Sequence, residues 1–78
     1  NADITVYPNP SSGVVRLKSN IFNGLCILEV YSGTGSLVIT REVNMNEEID
    51  LTSLPDGVYT FRIGNENDFI TRKVILIR

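Results

Sequence analysis

The sequence predicts an all-β domain, a small antiparallel sandwich of two sheets without a helix. Apolar residues alternate with polar ones in several short runs, which is typical of strands that turn one face to a core. Turn-forming residues separate these runs at roughly ten-residue spacing. No stretch of about eleven residues has the three-four apolar spacing of an amphipathic helix. At 78 residues the chain is long enough for one small domain.

About seven strands are predicted from this alternation, which favours a sandwich of the immunoglobulin-like type, with a small barrel as the alternative. The fourth strand is expected at about Leu37 to Val43, and the last one from about Phe69 to Ile77. The inward-facing positions of the runs predict a core made of Val15, Leu17, Leu28, Val30, Tyr59, Phe61, Ile63, Val74 and Leu76.

Turn signals connect the predicted strands. Two prolines in Pro8 to Gly13 exclude that segment from a central strand, because proline fixes φ and lacks the backbone donor. Asn23-Gly24 predicts a tight turn. In Pro55-Asp56-Gly57 the proline presets φ, and we expect the glycine to take a positive φ. The loop Asn65 to Asp68 is expected to join the last two strands.

Composition excludes several classes of function. There is no histidine and only one cysteine, Cys26, which removes the commonest general base and any cysteine-based zinc site. A net charge of −2 argues against nucleic-acid binding. Apolar runs such as Val74 to Ile77 are far short of the ~20 residues of a membrane helix. We therefore expect no catalytic residues, no cofactor and no membrane insertion, with Cys26 as a small buried apolar residue.

The densest acidic cluster is Glu47, Glu48 and Asp50. A calcium site would need several carboxylate oxygens converging from a suitable loop. Here Glu48 and Asp50 fall on one face of a predicted strand and Glu47 on the other. We therefore expect no metal site, and interpret the cluster as a solvated edge.

Two predicted strands have apolar residues on both faces. On the third strand, the outward face carries Leu25, Ile27 and Tyr31. On the last strand, the outward face carries Phe69, Ile75 and Ile77. Such strands are either central or covered, or they expose an apolar patch that meets another protein. Weak self-association through the last strand or its neighbour is a further hypothesis.

Three segments in order resemble a known family. We call them the first, second and third motif in chain order: Tyr7-Pro8-Asn9-Pro10-Ser11-Ser12-Gly13, Leu54-Pro55-Asp56-Gly57-Val58-Tyr59 and Lys73-Val74-Ile75-Leu76-Ile77-Arg78. Together, with this spacing, they resemble the C-terminal sorting domain of the type IX (Por) secretion system. The resemblance covers about Ile4 to Arg78, and it also implies an immunoglobulin-like β-sandwich.

The resemblance implies a role in protein export. Such domains form the C-terminal end of precursors that pass through the periplasm of certain Gram-negative bacteria. An outer-membrane translocon uses them as an address, and a sortase-like peptidase at the cell surface often removes them and attaches the cargo. Residues 1–78 are accordingly expected to be a single sorting domain at the end of a longer precursor. The alternatives are an adhesion or carbohydrate-binding sandwich module, and a domain that chaperones its neighbour.

The resemblance also suggests site residues. The first two motifs contribute residues that a loop between strands would also need, whereas the last motif is expected to contact the secretion machinery. Tyr59 is expected to be a core aromatic residue. The motif residues are Pro8, Asn9, Pro10 and Gly13; Pro55, Gly57 and Tyr59; and Lys73, Val74, Ile75, Leu76, Ile77 and Arg78.

Overall fold

The fold was analysed in a computed structural model, which describes residues 4–19, 24–65 and 67–78. Within those ranges it contains seven strands and no helix, as the sequence predicts. The strands are β1 (Ile4–Tyr7), β2 (Val14–Ser19), β3 (Leu25–Tyr31), β4 (Leu37–Asn44), β5 (Glu48–Asp50), β6 (Gly57–Gly64) and β7 (Phe69–Leu76). No helix that could cross a membrane occurs in these ranges. Asn23 of one predicted turn and Glu66 of the last predicted loop lie outside them.

The strands form two separate antiparallel sheets, so the fold is a sandwich. The smaller sheet has the order β1-β2-β5, and the larger has the order β4-β3-β6-β7. Consecutive strands β1 and β2, β3 and β4, and β6 and β7 pair directly. The long-range pairs β2 with β5 and β3 with β6 complete the two sheets. This order makes β3 and β6 central, whereas β1 and β7 are edge strands that approach each other on one side.

Both sheets contribute alternate side chains to one core, as the period-two pattern requires. The predicted core positions are all buried, and Ile4, Val6, Cys26, Val43, Ile49 and Leu51 join them. Cys26 is 3% exposed, and burial raises the pKa of its thiol. It therefore packs as a small apolar residue, as expected.

The outer face of the larger sheet explains why β3 has apolar residues on both sides. Because β3 is central, Ile27 and Tyr31 are half-buried between neighbouring strands. Glu29 between them accepts hydrogen bonds from Arg62 Nη1 at 2.7 Å and from the Tyr31 hydroxyl at 3.2 Å. The Arg62 guanidinium lies 3.7 Å from the centroid of the Phe69 ring. A hydrogen-bonded ion pair and a cation–π contact therefore cover the middle of this face.

The acid-rich turn uses its carboxylates for local structure. Glu47 pairs with Arg41, and Glu48 lies 3.6 Å from Arg16. Asp50 accepts a hydrogen bond of 2.8 Å from the backbone two residues further on. Among the residues that the structure describes, no group of three potential ligands could hold a metal ion.

The turn before β6 differs from the sequence-based expectation in one respect. Gly57 does not have a positive φ; the glycines that do are Gly13, Gly24 and Gly35. Pro55 and Asp56 complete the turn before residue 57. Gly57 therefore already lies in the β6 ladder opposite Leu76, where extended backbone is required.

Replacing Leu28 by alanine should destabilise the sandwich strongly. Its side chain is fully buried on β3, so Leu28→Ala should lower the free energy of unfolding by about 2–5 kcal/mol. Urea denaturation measures this loss. The matched control is Leu25→Ala on the same strand, because Leu25 is 61% exposed and its truncation should cost less than about 0.5 kcal/mol. Equal losses in the two variants would contradict the assignment of the inner face.

Candidate functional site

The three sequence motifs meet around the outer edge of β7. β7 is the last strand of the larger sheet, and β6 occupies only one of its two edges. An edge strand leaves a row of backbone donors and acceptors without a partner strand. The first motif forms hydrogen bonds with the C-terminal half of this edge. The second motif forms hydrogen bonds with Arg78, the residue that follows the last bonded position of the edge.

Asn9 takes the place of a strand residue beside β7. Its side-chain Nδ2 donates to the carbonyl of Lys73 at 2.8 Å, and the N–H of Ile75 donates to its Oδ1 at 2.9 Å. A primary amide offers a donor and an acceptor side by side, as a peptide group does. The Asn9 side chain therefore satisfies both backbone groups that a neighbouring strand would otherwise bind.

Ser11 continues this pairing with its own backbone. Its N–H donates to the carbonyl of Ile75, and the N–H of Ile77 donates to its carbonyl, both at 2.8 Å. The pairing is a parallel bridge centred on Leu76. Ser11 is 2% exposed, and its hydroxyl accepts from the N–H of Gly13 at 3.0 Å. The edge of β7 from Lys73 to Ile77 is thus closed by Asn9 and Ser11.

The sequence of the first motif accounts for the course of this loop, which leaves β1 of the smaller sheet, bonds to β7 of the larger sheet and returns to β2. Pro8 and Pro10 have no N–H to donate, so the ladder between β1 and β2 ends at Tyr7. Both prolines follow cis peptide bonds. Gly13 returns the chain to β2 with a φ of 149°, and a Cβ there would lie 2.8 Å from Thr52 Cγ2. Only glycine fits that position without displacing a neighbour.

The second motif is a corner that fixes the start of β6. The hydroxyl of Tyr59 donates to the carbonyl of Pro55 at 2.5 Å. Its ring is buried in the core, with 4% of the residue exposed. The same arrangement, a tyrosine bonded to the backbone a few residues upstream, marks the tyrosine corner of immunoglobulin domains. Tyr59 is therefore a core aromatic residue, as the sequence predicts, and its hydroxyl also orders the turn.

Arg78 joins the third motif to the second. Its Nη1 donates to Asp56 Oδ1 at 2.8 Å, and its backbone N–H donates to Asp56 Oδ2 at 3.1 Å. Its Nη2 donates to the carbonyl of Leu51 at 3.0 Å. The pKa of Asp56 is lowered, mainly by the backbone N–H of Arg78 and further by its guanidinium. We call these contacts the Arg78 latch, because they hold the residues after β7 against the end of the sandwich.

The remaining residues of the third motif divide between inside and outside. Val74 and Leu76 are fully buried in the core. Lys73 is exposed, and its side chain makes no hydrogen bond or ion pair with any part of the chain that the structure describes. Ile77 is 57% exposed, and Ile75 is half-buried opposite the exposed Val58. Lys73, Ile75, Ile77 and Val58 form an outward strip on the larger sheet.

Sequence reasoning did not single out Ser11, Asp56 or Val58 as parts of this site. Ser11 and Asp56 lie within the two quoted motifs, so a closer look at their polar side chains could have drawn attention to them. Val58 carries no such signal. Its relevance depends on the register that places it opposite Ile75.

Removing the Asn9 side chain should open the closed half of the β7 edge. Asn9→Ala frees the carbonyl of Lys73 and the N–H of Ile75, so we expect a loss of about 1 kcal/mol and stronger self-association. Thermal melting and sedimentation at high protein concentration measure the two effects. Asn9→Asp is the matched control, since it keeps an acceptor for Ile75. An Asn9→Ala chain that sediments like the unmodified chain would show that Asn9 does not protect this edge.

The Arg78 latch should make stability depend on pH in the acid range. The folded pKa of Asp56 lies below its ordinary value of 3.8. Its contribution is therefore fully present above pH 4 and is lost as the pH falls through the lowered folded value. Asp56→Asn should be less stable at neutral pH, and its difference from the unmodified chain should shrink on acidification. Urea denaturation between about pH 6 and pH 2 measures this difference.

Arg78→Gln provides the control for that experiment. It removes the guanidinium but keeps the backbone N–H, which is the larger cause of the lowered pKa. NMR titration of the Asp56 carboxyl should therefore still show a lowered pKa in this variant. An unshifted pKa in the unmodified chain would contradict the latch.

Comparison with known proteins identifies the family of the chain. No curated protein matches the chain closely. A family model described as the secretion system C-terminal sorting domain matches residues 5–77, which include all but the last residue of the three motifs. The chain therefore belongs to the family of C-terminal sorting domains of the type IX secretion system.

Proposed function

We propose that this domain works as a folded export address whose outward strip is bound by the outer-membrane translocon. Family membership identifies the chain as a type IX C-terminal sorting signal, which directs export across the outer membrane to the cell surface or the medium. The partner classes that follow are the secretion machinery and an N-terminal cargo. The observation that supports binding through the outward strip is that the residues of the third motif have different positions: Val74 and Leu76 are buried, Arg78 is bonded to Asp56, and Lys73 and Ile77 are exposed.

The structural roles of the motif residues favour the outward strip as the contact surface. Asn9 holds the edge of β7, and Arg78 holds the residues after it. Val74 and Leu76 fill the core. These four residues are already engaged within the domain. Lys73 and Ile77 present a charge and an apolar side chain outward, so they are available to a partner.

Arg78 has a different role in this proposal from the one its sequence position predicts. We expected it to contact the secretion machinery directly. Its guanidinium is instead bonded to Asp56 and Leu51 within the domain. We therefore propose that Arg78 orders the end of the signal, while Lys73 carries the charge that the translocon contacts.

We further propose that the domain ends a longer precursor that crosses the periplasm, and that a sortase-like peptidase at the cell surface removes it and attaches the cargo there. Mass analysis of surface-exposed reporter cargo tests this step. Cargo that keeps the whole domain at the surface would exclude removal. The domain itself is proposed to have no catalytic activity, since its family is one of sorting signals.

The alternative of a carbohydrate-binding module has little support from the positions of the aromatic residues. Binding to sugar rings requires exposed aromatic faces. Tyr59 and Phe61 are buried in the core. Arg62 lies over the ring of Phe69, and the hydroxyl of Tyr31 is bonded to Glu29. Tyr7, at 37% exposure, is the one exposed aromatic residue among those that the structure describes.

Replacing Lys73 should reduce export of a reporter without unfolding the domain. Lys73→Gln changes an exposed residue, so its free energy of unfolding should move by less than about 0.5 kcal/mol. Export from a type IX-competent bacterium should fall several-fold, measured as reporter at the surface against reporter in the periplasm. Lys18→Gln is the matched control, because Lys18 is the other lysine of the chain and is exposed on the smaller sheet.

A second substitution tests the apolar part of the strip. Ile77→Ser keeps the backbone N–H that donates to Ser11 and removes only an exposed side chain. Export of the reporter that carries Ile77→Ser should also fall. The control is Leu37→Ser, which changes an exposed apolar residue on β4, the opposite edge strand of the larger sheet. Normal export of stable Lys73→Gln and Ile77→Ser chains would show that the translocon does not bind the outward strip.

A further inference from the structure

A crevice separates the free edge of β1 from the first half of β7. Its volume is about 290 Å³. Among the described residues, no strand pairs with β1 on this side or with β7 before Lys73. The crevice is lined by Ile4, Thr5, Val6, Asn9, Arg72 and Lys73.

Backbone groups from both strand edges point into this crevice. The carbonyl of Ile4 accepts a hydrogen bond of 2.8 Å from Arg72 Nε, so the Ile4 backbone faces β7 rather than β2. In a strand, the backbone N–H and C=O groups of residues two apart point to the same side. The backbone groups of Val6 therefore also point towards β7. On β7 the carbonyl of Lys73 faces Asn9, so Lys73 and Thr71 share that orientation. Two strand edges therefore face each other across the crevice without pairing.

The crevice is also cationic, although the chain carries a net charge of −2. Arg72 and Lys73 line it, and none of its lining residues is acidic. Arg72 donates from Nε to Ile4 and from Nη1 to the carbonyl of Thr71 at 2.8 Å. Its Nη2 makes no hydrogen bond with the described residues and is available to a carboxylate.

We propose that this crevice binds an extended segment of another protein that carries acidic side chains, by strand addition. The carbonyls of Ile4, Thr71 and Lys73 already accept hydrogen bonds. The backbone of Val6 and the N–H groups of Thr71 and Lys73 would therefore supply the affinity, and carboxylates beside Arg72 and Lys73 would supply the selectivity. The first motif shows how the same edge accepts such a partner, since Ser11 pairs with its other half in parallel and the side-chain amide of Asn9 bonds to the backbone beside it. The proposal concerns the isolated domain and shares only Lys73 with the outward strip, so Arg72→Gln is the variant that tests the crevice alone.

The charges favour a different protein over a second copy of this chain. Two copies that paired through the first half of the β7 edge would bring Arg72 and Lys73 of one close to the same cations of the other, unlike copies that paired through the apolar second half, which Asn9 and Ser11 close. Like charges in adjacent strands destabilise pairing. An acidic strand would instead gain attraction from both cations.

NMR titration of the isotope-labelled domain tests the proposal. The probe is a capped heptapeptide in which valine and glutamate alternate. The amide signals of Val6, Thr71 and Lys73 should shift in a saturable way. The same peptide with lysine in place of glutamate should bind at least tenfold more weakly, and citrate alone should not reproduce the shifts.

Variants locate the binding to the crevice. Arg72→Gln and Lys73→Gln should each weaken binding several-fold, whereas Lys18→Gln should leave it unchanged. The absence of saturable shifts at millimolar peptide, equal binding of the lysine peptide, or equal shifts with citrate would overturn the proposal. Shifts that depend on domain concentration rather than on peptide would assign the crevice to self-association instead. None of these outcomes changes the expectation for reporter export.

Discussion

The pairing of Asn9 and Ser11 with the edge of β7 is the interaction on which the rest of the site depends. It ties the first motif to the third across more than 60 residues of chain. Without it, β7 would be held by β6 alone on one side, and the chain between β1 and β2 would lose its contacts with the larger sheet. The pairing joins the two sheets at this edge and, together with the Arg78 latch, positions the residues that follow β7.

This arrangement explains why the motifs are informative together and weak separately. A proline pair or a proline–glycine turn is common in loops. Here the asparagine between the prolines supplies an amide that substitutes for a strand residue, and Asp56 in the turn supplies a carboxylate for Arg78. Each motif thus provides a group that another motif requires. Their order and spacing reflect one assembled structure rather than three independent signals.

Charge is distributed unevenly over this fold. Arg62, Arg72, Lys73 and Arg78 all lie on β6, on β7 or just after β7. Arg62 and Arg78 are neutralised by carboxylates from other parts of the chain, Glu29 and Asp56. Arg72 bonds to backbone carbonyls, and Lys73 remains exposed. An acidic chain therefore presents a local cationic side at β7, which would attract an anionic partner.

The sequence by itself determined the strands, the buried faces and the family. Alternation along β3, β6 and β7 is a local property, because successive side chains of a strand point to opposite faces. The positions of Leu28, Phe61 and Val74 in the core follow from it directly. The linear motifs were equally visible, and their residues lie in the loop and strand positions that the sequence predicted, except Gly57, which lies in β6 rather than in the turn.

Only the tertiary structure decided which residues of the motifs are engaged and which are free. The positive φ expected at Gly57 was wrong because the turn ends one residue earlier. The bonding of Arg78 to Asp56, and the opposition of β1 and β7 across a cationic crevice, depend on how two sheets pack and where the chain crosses between them. No pattern within a single strand contains that information. It arises from contacts between segments that are distant in sequence and meet only in the folded domain.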